Sequence, residues 1–176
     1  MIRRRSTANL FLCAFSLVVF HAGLAVAQAA EPDGELVQMV VELLADKDND
    51  VRALGFDQVR TSASGERATL EFAGQLRKLP PDGQIGLLSA LADRGDAAAR
   101  DEVLSLLNST TDEGVKTAAI AAIGALASPG DVQLLIKLVE TGAPAEKAAA
   151  RAALTTCSCD ETLQCQNGTL PKEIEA

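Results

Sequence analysis

Apolar residues recur through this chain at a fixed step. Phe72-Ala73 with Leu76 returns as Val103-Leu104 with Leu107, and again as Leu134-Leu135 with Leu138, a step of 31 each time. Spacings of one, three and four put such residues on one face of a helix. Val40-Val41 with Leu44, a step of 32 earlier, carries the series backwards. Between these lies a second set: Phe56 and Val59, Leu88 and Leu91, Ile120 and Ile123, again at a step of 32. A partial fourth copy, rich in alanine, runs from Pro144 to Thr156. One such unit cannot bury its apolar face alone, whereas stacked copies can. The fold class that follows is all-α: an α-solenoid of antiparallel helical hairpins, with about three and a half repeats. A single helix is expected near 33–46, hairpins at 49–78, 80–108 and 111–142, and a half-repeat at 144–156.

Start and stop signals agree with this division. Asp50, Asp96 and Asp131 stand where N-caps are expected, and Ser64 with Glu66 opens the helix carrying Phe72. Pro80-Pro81 and Pro144 suit first-turn positions, where a missing amide costs nothing. Gly95 and Gly142 suit helix ends. Short linkers force neighbouring helices antiparallel. The expected core is Val40, Leu44, Phe72, Leu76, Leu88, Leu91, Leu104, Leu107, Ile120, Ile123, Leu135 and Leu138.

Composition fits a stack of aliphatic helices. The chain has no Trp and no Tyr, and of its five Phe only Phe56 and Phe72 lie beyond Phe20. Thirteen of the 16 basic residues and all 24 acidic ones follow Ala27, which leaves that part with a net charge of −11. Nucleic-acid binding calls for a basic stripe and stacking aromatics, and the chain has neither, so no nucleic acid is expected as a partner. An acidic surface argues equally against docking on anionic lipid.

The segment 1–27 reads as a secretory leader. Arg3-Arg4-Arg5 begins it, Leu10 to Phe20 is an apolar run, and Ala25-Val26-Ala27 is a small-x-small cleavage site before Gln28. Ala27-Gln28-Ala29 offers a second cut two positions on. The apolar stretch approaches spanning length, but His21 and Gly23 interrupt it, so cleavage is expected and a membrane anchor is not. The domains are then a leader at 1–27, a repeat domain at 33–156 and a cysteine-containing, irregular tail at 157–176. The mature protein is expected to be periplasmic or extracellular.

Asp50-Val51-Arg52, and Gly114-Val115-Lys116 followed by an Ala-rich helix ending Ile123-Gly124-Ala125-Leu126, resemble HEAT-like repeats. Ala90-Leu91-Ala92-Asp93-Arg94-Gly95-Asp96 and Ala125-Leu126-Ala127-Ser128-Pro129-Gly130-Asp131 are similar to the hairpin turn of the short subtype known from phycobilisome lyases. The resemblance covers roughly 35 to 156. It implies a solenoid whose faces hold proteins or peptides, with rare members that handle bilin chromophores. Gln84 departs from it, since a basic residue is usual there, and the last repeat lacks a second helix.

Few residues are equipped for chemistry. Cys157, Cys159 and Cys165 form a C-x-C-x5-C cluster after the last helix. In an oxidising compartment a disulfide is the plain expectation, with free thiols and a metal site as alternatives. Zinc needs four ligands, and no His follows the leader, so only Asp160 or Glu161 could complete a site. Asp46, Asp48 and Asp50 alternate like the start of a calcium loop, but Val51 and Asp57 stand where that loop needs Gly and Glu. A solvated turn ending in a helix cap explains the run. Without His there is no Ser-His or Cys-His pair, so no enzyme, no catalytic residue and no cofactor are expected.

Arg52, Lys116, Lys147 and Arg151 recur near the start or middle of the first helices of the hairpins. They are candidates for a basic ladder that grips acidic peptide segments, against the plainer reading of ordinary exposed or snorkelling side chains. The leading functional expectation is an exported, non-catalytic protein–protein interaction scaffold with a protein or peptide partner. The alternatives are a tetrapyrrole-handling, lyase-like protein, and a thiol- or metal-handling module acting through the tail cysteines.

Overall fold

The computed structural model describes residues 32–126 and 128–156, and all regular structure among them is helical. The expectations placed on 1–27 and on Cys157, Cys159 and Cys165 lie outside the described residues. The described helices are α1 (Pro32–Leu44), α2 (Asn49–Thr61), α3 (Glu66–Ala73), α4 (Pro81–Arg94), α5 (Arg100–Ser109), α6 (Glu113–Ala125), α7 (Asp131–Thr141) and α8 (Pro144–Thr156). Short 3-10 turns at Leu76–Lys78 and Ala97–Ala99 follow α3 and precede α5.

The helices form two rows. In one, α2, α4, α6 and α8 stack directly on each other. In the other, α1 packs on α3, and α3 and α5 meet through the two 3-10 turns. Pairing between the rows joins α1 to α2, α5 to α6 and α7 to α8. The helices that the repeat phase leaves single at the ends are therefore not isolated: α1 packs on α2 and α3, and α8 on α6 and α7. This is the α-solenoid of helical hairpins that the apolar step implies.

Small residues allow the direct stacking. A Cβ built at Gly86 of α4 would run into the ring of Phe56 on α2, and one at Gly124 of α6 would sit 2.6 Å from Cβ of Ala153 on α8. Both are far inside ordinary carbon contact, so the helices lie as close as they do because those positions are bare. The core follows the two periodic series. Val40, Leu44, Phe72, Leu76, Leu88, Leu91, Leu107, Ile120, Ile123 and Leu135 are buried. Leu104 and Leu138 are only half-buried, because Val103 and Leu106 rather than Leu104 face inward on α5 and Leu135 does so on α7.

Several local expectations are corrected. The helix carrying Phe72 stops at Ala73, and Leu76 is buried from the following 3-10 turn instead. Asp48, not Asp50, caps α2: its Oδ1 accepts the Asp50 amide at 2.8 Å, as Asp46 Oδ1 accepts that of Asp48 at 2.8 Å. The alternating acids are thus a turn running into a cap. Asp96 caps its 3-10 turn as expected, accepting from the Ala98 amide at 3.0 Å. The residue before α3 is Gly65, at φ 101, so no side chain from Ser64 caps that helix. Gly95 adopts the left-handed helix end (φ 69), but Gly142 is extended with φ −69. Asp131 is no cap either; it is the first residue of α7 and is buried.

What buries Asp131 is a tie between repeats. Arg100, one repeat earlier on α5, donates from Nε and Nη2 to its two carboxylate oxygens at 2.7 and 2.5 Å, and the Ser128 amide donates at 2.8 Å. These donors, Arg100 first, hold the Asp131 carboxyl below the usual carboxylate range. A second tie centres on Arg94 at the end of α4. Its guanidinium donates to the carbonyls of Val59 (2.8 Å), Ser62 (2.9 Å) and Ala63 and to Thr69 Oγ1 (2.7 Å), and lies 5.5 Å from the Phe72 ring centroid. A cation is thereby fixed at the C-terminal carbonyls of α2, where the helix dipole favours one.

Candidate peptide-binding groove

The sequence-derived cations behave differently from a solvent-facing row. Arg52 is 6% exposed, and its guanidinium donates to the carbonyls of Asp46 (2.8 Å) and Lys47 (3.3 Å), to Asn49 Oδ1 and to Asp82 Oδ2 (3.0 Å). It holds the α1–α2 turn to the start of α4. Lys116 on α6 is half-buried and pairs with Glu146 on α8 at 3.4 Å. Lys147 is half-buried and Arg151 exposed, both on α8, and neither forms an ion pair among the described residues. The four are thus not one open ladder. The first two of them, Arg52 and Lys116, make bonds between stacked helices of one row.

A different basic surface appears beside α1 and α3. Residues of α1, of the 8-residue α3 and of the 3-10 turn after it line a groove there. The groove has a volume of about 480 Å³ and is floored by Val37 and Val41 of α1 and Ala68 of α3. That size suits a side chain or short peptide segment. Arg67 and Lys78 stand on its walls, with Glu71 as the opposing charge. An adjoining hollow of about 380 Å³, sharing Gln75 and Lys78, carries it on to Lys47, Arg52 and Pro80.

Gln75 organises the junction. It is 9% exposed; its Nε2 donates to the Glu71 carbonyl at 3.1 Å and its Oε1 accepts from Lys78 Nζ at 3.1 Å. The ammonium group is therefore oriented before any ligand arrives. Arg67 and Lys47 are exposed and form no ion pair among the described residues. An apolar floor between such cations can seat an aliphatic side chain and hold carboxylates at the rim.

Arg67, Lys78 and Lys47 lie off the periodic positions that suggested a ladder, so periodicity alone passes over them. A signal was present: the segment 47–78 holds six basic and five acidic side chains, while the rest of the chain beyond the leader is strongly acidic. Among the described residues no group of three or more His, Cys, Asp or Glu could hold a metal ion. No described helix is long and apolar enough to cross a membrane.

Among known proteins, the family model for HEAT repeats matches residues 71–155, from the end of α3 through α8. Neither the curated proteins nor the solved structures contain a match.

Proposed function

We propose that this HEAT-like repeat protein is a non-catalytic scaffold that holds an acidic segment of a partner protein in the groove between α1 and α3. HEAT repeats are commonly protein-interaction scaffolds, generally without catalysis, and the fold here is of that kind. The observation that carries the reading further is Arg67 and Lys78 beside the floor of Val37, Val41 and Ala68, with Lys47 next to Asp46 in the adjoining hollow, on an otherwise acidic protein. Charge complementarity would speed encounter and select acidic partners, while Val37, Val41 and Ala68 would supply apolar contact.

The test is a titration of a fluorescent peptide of alternating glutamate and leucine blocks, followed by anisotropy at low and moderate salt. Saturable binding that weakens with salt is expected, and Arg67→Glu with Lys78→Glu should weaken it roughly tenfold or more. Unchanged affinity in that double variant contradicts the assignment.

The leader pattern of Arg3-Arg4-Arg5, the apolar run and Ala25-Val26-Ala27 supports a role for the scaffold outside the cytoplasm. Mass spectrometry of the exported form should find a first residue of Gln28 or Ala30; an intact Met1 contradicts this. The likeness to the lyase subtype rests on the turns at 90–96 and 125–131.

A further inference from the structure

The bonds within the row α2, α4, α6, α8 follow a register. With the first residue of each helix as position one, Arg52, Gln84, Lys116 and Lys147 all occupy the fourth position. Arg52 reaches Asp82 at the second position of the next helix, at 3.0 Å, and Lys116 reaches Glu146 at the third, at 3.4 Å. The fourth position therefore faces the following repeat, and the second and third face the preceding one. The eighth and sixth positions behave alike: Phe56 of α2 lies against Gly86 of α4.

At the two ends of the row this register is left open. On α8, the fourth and eighth positions hold Lys147 and Arg151, facing where a following helix would lie. On α2, the second and sixth hold Asp50 and Leu54, facing where a preceding helix would lie. Asp50 is exposed, and Leu54 is 52% exposed although apolar. One end thus offers cations at the positions that donate inside the stack, and the other an acid at a position that accepts.

We infer that a second copy of this chain docks head to tail, the outer face of α8 against the outer face of α2. In that register Lys147 pairs with Asp50 of the next copy, as Arg52 pairs with Asp82. The aliphatic stem of Arg151 covers Leu54 and its guanidinium stands near Asp57, whose own partner Arg60 is at 2.8 Å. Such a contact joins two different surfaces, so it extends in a line unless it closes into a ring. It is carried by residues other than those of the peptide groove.

Sedimentation velocity on the purified protein over a concentration series, at low and high salt, tests this. Concentration-dependent growth beyond a dimer is expected at low salt, suppressed at high salt. Lys147→Glu and Asp50→Lys should each weaken association roughly tenfold or more. An equimolar mixture of these two variants should regain growth beyond a dimer, because an intact Lys147 meets an intact Asp50 at one kind of contact and the two introduced charges, opposite in sign, meet at the other. Circular dichroism of both variants should match the parent. A monomer under all conditions overturns the inference and leaves residues 157–176 or another protein as the cover of α8. Association indifferent to both substitutions also overturns it.

Discussion

Replacing Gly124 by Ala puts the stacking of α6 on α8 to a direct test. The new Cβ would stand 2.6 Å from Cβ and 2.8 Å from Cα of Ala153. Ordinary carbon contacts lie near 3.5–4.0 Å, so the helices must part by about 1 Å where they touch. The backbone of Ala153 cannot turn aside as a long side chain would. Alanine in mid-helix gains about 1 kcal/mol over glycine, whereas overpacking costs about 1–3 kcal/mol. Separation also opens the contacts of Ala150 and Ala153, both buried. The packing loss wins, and a net destabilisation of about 1–2 kcal/mol is expected. Gly34 supplies the control: a Cβ there meets nothing within 4 Å, and the residue lies in the first turn of α1. Gly34→Ala should stabilise by about 0.5 kcal/mol through propensity and the unfolded chain alone. Urea unfolding followed by circular dichroism reads both, with unchanged slope. If the two substitutions stabilise alike, α6 and α8 are not packed as described.

Two further expectations concern the polar ties. The Asp131 carboxyl has its pKa lowered in the folded state, chiefly by Arg100, so the stability it contributes is present above the unfolded value of about 4 and is lost as pH falls through the lower folded value. Asp131→Asn should therefore cost about 1–3 kcal/mol at neutral pH and converge on the parent in acid; parallel curves at all pH would contradict the tie. Arg94→Lys keeps the charge but cannot reach several carbonyls at once, so a loss of about 2–3 kcal/mol is expected in thermal or urea unfolding, and full retention would deny the guanidinium its role at the end of α2.

The rows of helices were legible because apolar residues recur at steps of 31 and 32, a period that survives without aromatics. The same stripe is wider than the true core. Leu104 and Leu138 lie on its edge, and a spacing of three or four cannot say which edge turns inward. The cap of α2 was misplaced by two positions, from Asp48 to Asp50, because alternating aspartates can each accept the amide two positions on. Asp131 looks like a cap locally; only its partner Arg100, a whole repeat away, makes it a buried anchor. Two members of the basic ladder, Arg52 and Lys116, are taken up between stacked helices, and a related reason hid this. A cation at a repeating position reads the same whether it faces solvent or the next repeat, and the distinguishing sign was an acid one repeat further on, as Asp82 is for Arg52 and Glu146 for Lys116. The end of α3 at Ala73 was hidden because the apolar period runs on through Leu76.

The central claim is that the basic groove between α1 and α3 is where an acidic partner is held. NMR titration of the labelled protein with the glutamate–leucine peptide tests it most directly. The account predicts shift changes concentrated in 34–47 and 64–78, with the Arg67 and Lys78 side chains among them. Changes confined to α6 and α8, around Lys116, Lys147 and Arg151, would contradict it.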